Sequence, residues 1–296
     1  MRALYTLSAL LVLLSAITAT PGAAVENPPA STLQPAPTPT APQASQSAPT
    51  ATASTTTPQP PLDPQQILAV SDAIRNPDKP FGLSIVLTEY RNAQQVDTNT
   101  LAIYSKLDEP TGRYRTLVRY VGPPRDAGKL VLENGTEMWF YDPSSEASIR
   151  ISPQQRLLGQ ASTGDVVTVN LARDYRAVNA TLEDVTDGDR ALRHCYRLEL
   201  EAAVPDATYH RTELWVEQST GRPVKGKFYS DSDHLLKTAY YRRFESQLGR
   251  ERPTETIIID GLTPTWVTVM RYSNYAWRDV PESWLQRDYL PRFRPE

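Results

Sequence analysis

Hydrolytic catalysis needs a nucleophile, a base to activate it and donors for the oxyanion, and the patterns that gather such groups are missing from this chain. It has no Gly-x-Ser-x-Gly turn, no Gly-rich phosphate loop and no His-Glu-x-x-His helix. His194, His210 and His234 stand apart, none three or four residues from another, so a metal centre would have to be collected from distant segments. His194 adjoins Cys195, the chain's single cysteine. Neighbours in a strand point to opposite faces, so the two cannot form a thiol and base pair, and Cys195 is expected to be a small, inert, buried group. One cysteine also excludes an intramolecular disulfide and a two-cysteine zinc site. Asp184, Asp187, Asp189, Asp231 and Asp233 are scattered, without the alternating oxygens, turn glycine and distal Glu of a calcium loop. The chain carries 31 Lys and Arg against 34 Asp and Glu, a net charge of -3, with no run of either sign long enough to mark a nucleic-acid surface. The reading is a non-enzymatic protein with no catalytic residue, no metal and no cofactor, and with no nucleic-acid partner.

What the sequence offers instead is apolar and aromatic: Trp139-Phe140-Tyr141, Trp215, Phe228-Tyr229, Tyr240-Tyr241, Trp266, Tyr272, Tyr275 and Trp277. Consecutive aromatics in a strand face both ways. Such a strand belongs to a sheet that is covered on each side or curled around a cavity. Plain core packing is the alternative for each residue taken singly.

The elements that would position these groups begin well inside the chain. Residues 1–24, with Arg2, an apolar stretch around Leu10 to Leu14 and a small-residue end at Gly22-Ala23-Ala24, are laid out as a secretory signal peptide. Cleavage near Ala24 is expected, with a retained anchor as the alternative. No cysteine lies near that point to take a lipid. Residues 25–64 hold 11 Pro, 8 Thr, 7 Ala, 4 Ser and 4 Gln in 40 positions. They bury too little to offset their ordering entropy and are read as a disordered linker. The folded domain is then residues 65–296, long enough for one sizeable core.

That domain opens with Asp63-Pro64, a cap and a first-turn proline, followed by Ile67, Val70 and Ile74 at helical spacing until Asn76-Pro77. The period then changes to two. Strands are predicted over 81–90, 100–107, 114–121, 129–133, 137–142, 147–151, 175–186, 192–201, 209–217, 223–229, 235–245, 254–260 and 266–275. Residues 153–174 break the series after the capping signals Ser152-Pro153 and Ser162-Thr163-Gly164-Asp165. They are read as one or two short helices, although Val166 to Val169 could form a strand. A last short helix is expected around Trp284, Leu285, Tyr289 and Leu290.

Several of these segments resemble the outer-membrane lipoprotein-sorting family, the LolA/LolB-like carriers of the periplasm, in the branch associated with exporters of the resistance-nodulation-division type. The strongest match is Arg119-Tyr120-Val121-Gly122-Pro123-Pro124-Arg125-Asp126-Ala127-Gly128-Lys129-Leu130-Val131-Leu132. Glu137-Met138-Trp139-Phe140-Tyr141-Asp142-Pro143, Ile149-Arg150-Ile151-Ser152, Tyr209 to Val216 and Leu235-Leu236-Lys237 are also similar. The chain departs from the branch at Gly128-Lys129, where Gly-Thr is usual. It departs again at Gln160-Ala161-Ser162-Thr163, where an aromatic-rich segment is usual.

The resemblance implies a mainly β fold with a few helices, an incomplete antiparallel β-barrel of about a dozen strands whose concave, apolar face is covered by helices. It implies a monomeric carrier that binds a lipid or the acyl chain of a lipoprotein in an apolar cavity and moves it toward the outer membrane, within the periplasm of a Gram-negative bacterium. In family members an arginine inside the cavity helps hold the closed state. On this reading Leu83, Ile85, Leu87, Leu101, Ile103, Leu130, Leu132, Trp139 and Tyr141 line the cavity. Leu157, Leu158, Val166, Val167 and Leu171 belong to the lid. The alternative is an envelope adaptor with a filled interior that docks on an inner-membrane exporter.

Overall fold

The computed structural model describes residues 63–294; the expected leader over 1–24 and the linker as far as residue 62 lie outside the described residues. Helix α1 (Pro64–Arg75) starts where the cap signal placed it. The Asp63 carboxylate accepts the Gln65 amide at 3.2 Å, and Pro64 opens the first turn. The cap and the first residue of α1 are the last two positions of the span read as linker.

Fifteen strands follow: β1 (Phe81–Arg91), β2 (Gln94–Asp108), β3 (Arg113–Gly122), β4 (Leu130–Asn134), β5 (Glu137–Asp142), β6 (Ala147–Ile151), β7 (Arg156–Leu158), β8 (Ala161–Ser162), β9 (Tyr175–Thr186), β10 (Leu192–Ala202), β11 (Arg211–Glu217), β12 (Pro223–Tyr229), β13 (Leu235–Gln247), β14 (Arg250–Asp260) and β15 (Trp266–Trp277). Thirteen of them form one antiparallel sheet in the order β6-β5-β4-β3-β2-β1-β15-β14-β13-β12-β11-β10-β9, which does not close into a barrel. Every neighbour is also a sequence neighbour except β1 and β15, which join the two meanders at the centre of the sheet. The edges are β6 and β9. Chain connectivity thus forces the segment between them, residues 152–174, to run from one edge to the other.

That segment is less helical than its caps suggested. It contains the two short strands β7 and β8, paired only with each other, a 3-10 turn at Thr163–Asp165, an irregular stretch over Val166 to Asn170 and the one-turn helix α2 (Leu171–Asp174). Asp165 does complete a capping box, accepting the Ser162 amide at 2.7 Å and the Ser162 hydroxyl at 2.9 Å. The turn it opens stops after three residues: Val166, still in right-handed helical backbone, donates its amide to the Thr163 carbonyl at 3.2 Å and closes it. Gly159 (φ +55°) and Gly164 have no substitute here. A Cβ on the first would strike Thr268 and Glu89, and one on the second would strike Thr208, so the first lets the segment lie directly on the sheet and the second lets it lie against the loop between β10 and β11.

Around β2 to β5 both faces of the sheet are buried, as the aromatic triplet required. On the inner face Leu83 pairs with Ile103, Ile103 with Val118, Val118 with Val131 and Val131 with Phe140, a continuous apolar row. It is covered by Leu158, Ala161, Val166 and Val167. Further along the same face, Ile67 and Leu68 of α1 cover Leu198, Leu200, Leu214 and Val216. On the outer face Tyr104, Leu117, Leu130, Leu132 and Tyr141 pack under the C-terminal segment, where 3-10 turns at Glu282–Leu285 and Arg287–Arg292 present Trp284, Leu285 and Leu290.

Candidate functional site

Between the inner face and the crossing segment lies a pocket of about 150 Å³. Its floor comes from Leu83 and Ile85 of β1, Ile103 of β2, Phe228 of β12, Ala239 of β13, Ile258 of β14 and Met270 of β15. Its roof is Val166, Val167, Val169 and Leu171. Alternation explains the floor. Ile85, Leu87, Leu101 and Ile103 share one face of the β1–β2 pair, and Met270 and Tyr272 stand opposite Leu87 and Ile85 across β15.

The roof is held down by polar contacts at its rim. Arg75, at the end of α1, pairs with Asp72 at 2.5 Å and donates to the Val169 carbonyl at 3.2 Å; Asn76 donates to the same carbonyl at 2.8 Å. Asp72 accepts the Ala172 amide at 2.8 Å, and Gln65 reaches the Ala172 carbonyl at 2.6 Å. Burial pushes the Asp72 carboxyl up, opposed by the Arg75 charge. Toward the other end of the roof, the Thr268 hydroxyl accepts the Gln160 amide at 2.8 Å. Near the middle, Lys237 of β13 meets Asp165, which also accepts the Tyr209 hydroxyl at 2.8 Å. Burial lowers the Lys237 ammonium, and the Asp165 charge opposes that shift. Burial also raises the phenols of Tyr209 and Tyr272, which border the pocket uncharged at neutral pH.

The expected cavity residues fall into three groups. Leu83, Ile85 and Ile103 line the pocket; Leu87 and Leu101 share its face but lie in the packed layer beside it. Leu130, Leu132, Trp139 and Tyr141 are corrected to the outer face, under the C-terminal segment. The parity of β4 and β5 is opposite to the one expected: Val131, Met138 and Phe140 face inward. Of the lid residues, Val166, Val167 and Leu171 border the pocket, while Leu157 and Leu158 anchor the segment in the adjoining core. Sequence reasoning missed Arg75, Tyr209 and Lys237. Lys237 was legible in principle as a charged residue on the inward row of an alternating strand.

The groups searched for as catalysts lie elsewhere. Cys195 is buried among Val185, Trp215 and Val224, and its thiol is pushed up to about 12, chiefly by burial. His194 projects from the opposite face to Asp184 at 2.6 Å. His234 meets Ser232 at 3.0 Å in an exposed turn whose carboxylate, Asp233, pairs with Arg211 instead. A second, polar cleft holds Glu133, Asp174 and Asp206 around Arg113. Burial raises Glu133 to about 8 there, with the Asp174 charge adding to the shift. Among the described residues no three potential ligands gather to hold a metal ion.

Comparison with known proteins adds the following. A family model described as an uncharacterized protein matches residues 112–292. The chain is similar to the crystal structure of a LolA superfamily protein from Nitrosomonas europaea, with 34% identity and a TM-score of 0.68 over 76% of this chain and 98% of that one. It shares its fold with a domain assigned to outer membrane lipoprotein sorting from Vibrio parahaemolyticus (19% identity, TM-score 0.65, 77% and 98% of the two chains). A DUF1329 family protein from Desulfovibrio piger is alike in fold to a similar degree (19%, TM-score 0.64, 77% and 97%). No curated protein sequence matches.

Proposed function

The chain belongs to the LolA superfamily, and from that premise we propose that it is a non-enzymatic periplasmic carrier of a Gram-negative cell, holding the acyl chain of a lipid or lipoprotein between its inner sheet face and residues 153–174. The observation that carries this reading is the apolar pocket. A packed scaffold has no use for an unfilled space lined by Leu83, Ile85, Ile103, Ile258 and Met270.

The size of the pocket bears on mechanism. A void near 150 Å³ takes a molecule about as large as benzene, so a long chain enters only if the roof rises. Nothing in the sheet has to break for that. β7 and β8 share no ladder with the thirteen strands, and the rim contacts of Arg75, Asn76 and Thr268 with the roof's backbone are hydrogen bonds that water can replace. Each methylene that leaves water contributes about 0.8 kcal/mol. Ten of them contribute roughly 8 kcal/mol before ordering costs, which is the scale of a micromolar Kd.

Titrating the full chain with a fluorescent long-chain fatty-acid probe tests this. The expected result is saturable binding at one site, displaced by unlabelled acyl lipid. Absence of saturable binding at about 100 µM would favour the adaptor with a filled interior.

A further inference from the structure

Along β13, residues 237, 239 and 241 point to the inner face, and all three border the pocket. Two of them, Ala239 and Tyr241, suit an apolar wall. The third is Lys237, only 4% exposed. Its ammonium donates to the Gln160 carbonyl at 3.2 Å and to the Asp165 carboxylate, and it lies 4.8 Å from the Tyr209 ring and 5.8 Å from that of Phe228. An ammonium has three protons to donate, and two oxygens take them here.

A buried ion pair is a weak source of stability; an apolar pair of the same size would close this roof as well or better. The Asp165 side of the pair is built so that its partner can leave. Its carboxylate keeps the Ser162 amide at 2.7 Å, the Ser162 hydroxyl at 2.9 Å and the Tyr209 hydroxyl at 2.8 Å without any help from Lys237. Lys237 has no such reserve. Deprived of Asp165, it would be a buried cation with one carbonyl and two ring faces, and it would need another anionic oxygen.

We infer that Lys237 receives the head group of the cargo, and that the cargo is a single-chain amphiphile ending in an anionic oxygen head, a fatty carboxylate being the simplest. The inference rests on the carrier reading and deepens it. The chain lies along Leu83, Ile103 and Ile258 while the head takes Lys237 over from Asp165. Because Asp165 belongs to the roof and Lys237 to the sheet, that exchange also removes one of the contacts that hold the roof down. Recognition of the head and admission of the chain are then one event.

The test compares dodecanoate, dodecyl phosphate and dodecanol, which share a chain and differ in the head, by calorimetric titration of the full chain at about pH 8, where a carboxylate is ionised. Acetate and inorganic phosphate serve as heads without a chain. The wild type is expected to bind the two anionic amphiphiles about tenfold or more tighter than the alcohol, with neither acetate nor inorganic phosphate competing. Lys237→Met should bring that ratio close to one with the alcohol's affinity retained. Lys237→Gln, which keeps a donor and loses the charge, should do the same if the Met variant folds poorly. Asp165→Asn should strengthen binding of the anions. Equal binding of alcohol and carboxylate by the wild type, a preference that survives in both Lys237 variants, or displacement of dodecanoate by acetate would each overturn the inference while leaving the carrier reading intact. Failure of all three amphiphiles to bind would overturn the carrier reading and this inference with it.

Discussion

Replacing Ala239 with Phe should weaken acyl-chain binding by about 100-fold or more while changing the free energy of unfolding by less than about 1 kcal/mol. Ala239 is 3% exposed, stands opposite Ile258 and Gly226 on the neighbouring strands, and forms part of the pocket floor. A ring built on its Cβ enters the space assigned to cargo. If that space is empty in the unliganded protein, the ring fills a void, and filling an apolar void is neutral or stabilising. In a fully packed interior the same ring forces neighbours off their rotamers and costs about 1–3 kcal/mol. Denaturant unfolding and probe titration of one variant therefore separate carrier from adaptor. Tight binding with normal stability would show that the cargo lies elsewhere. A large loss of stability would show that the pocket is core.

The double variant Leu157→Asp, Leu158→Asp should also lose about 100-fold or more in binding, for a different reason. Leu158 is buried and Leu157 half-buried against the cluster that includes Ile85, Leu87 and Leu101, and β7 rests on β1 and β2. Two carboxylates there cost several kcal/mol unless the segment lifts into water. It can lift without breaking the large sheet, because its strands share no ladder with it. The far-UV circular dichroism should keep its β signal while the roof that encloses the chain is lost. Unchanged binding would remove residues 153–174 from the site, whereas global unfolding would make them part of the obligatory core.

The strand series was legible because alternation and turn chemistry agree along most of the chain: 137–142, 147–151, 175–186 and 223–229 have the observed bounds, and most others differ by one to three residues. The two meanders joined by β1 and β15 depend on a pairing nearly 190 residues apart, which local pattern does not encode. Face assignment failed where both faces are apolar. Leu130-Val131-Leu132 and Trp139-Phe140-Tyr141 are apolar at every position, so a period of two cannot say which residues turn inward. That is settled by register, with Val118 opposite Val131 and Val131 opposite Phe140. The crossing segment misled for the opposite reason. Its capping box is real, but the turn it opens closes at Val166 and goes no further, and its place over the pocket is dictated by the two edges it connects.

The roof also shows how a polar rim and an apolar floor divide the work. Burial of Val166, Val167 and Leu171 gives the roof most of its hold, at about 1.5–3 kcal/mol for each fully buried side chain. Arg75, Asn76, Thr268 and Lys237 fix where it sits, and net contributions near 1 kcal/mol per hydrogen bond let it be displaced.

On the proposed function, the pocket under residues 153–174 carries an acyl chain in the cell. Native mass spectrometry of the full chain, purified without detergent from its own host and followed by lipid extraction, tests it most directly. The expected result is a stoichiometric adduct that releases a long-chain lipid or acylated peptide and is absent from the Ala239→Phe variant. A bare polypeptide mass that persists after incubation with host lipids would contradict it.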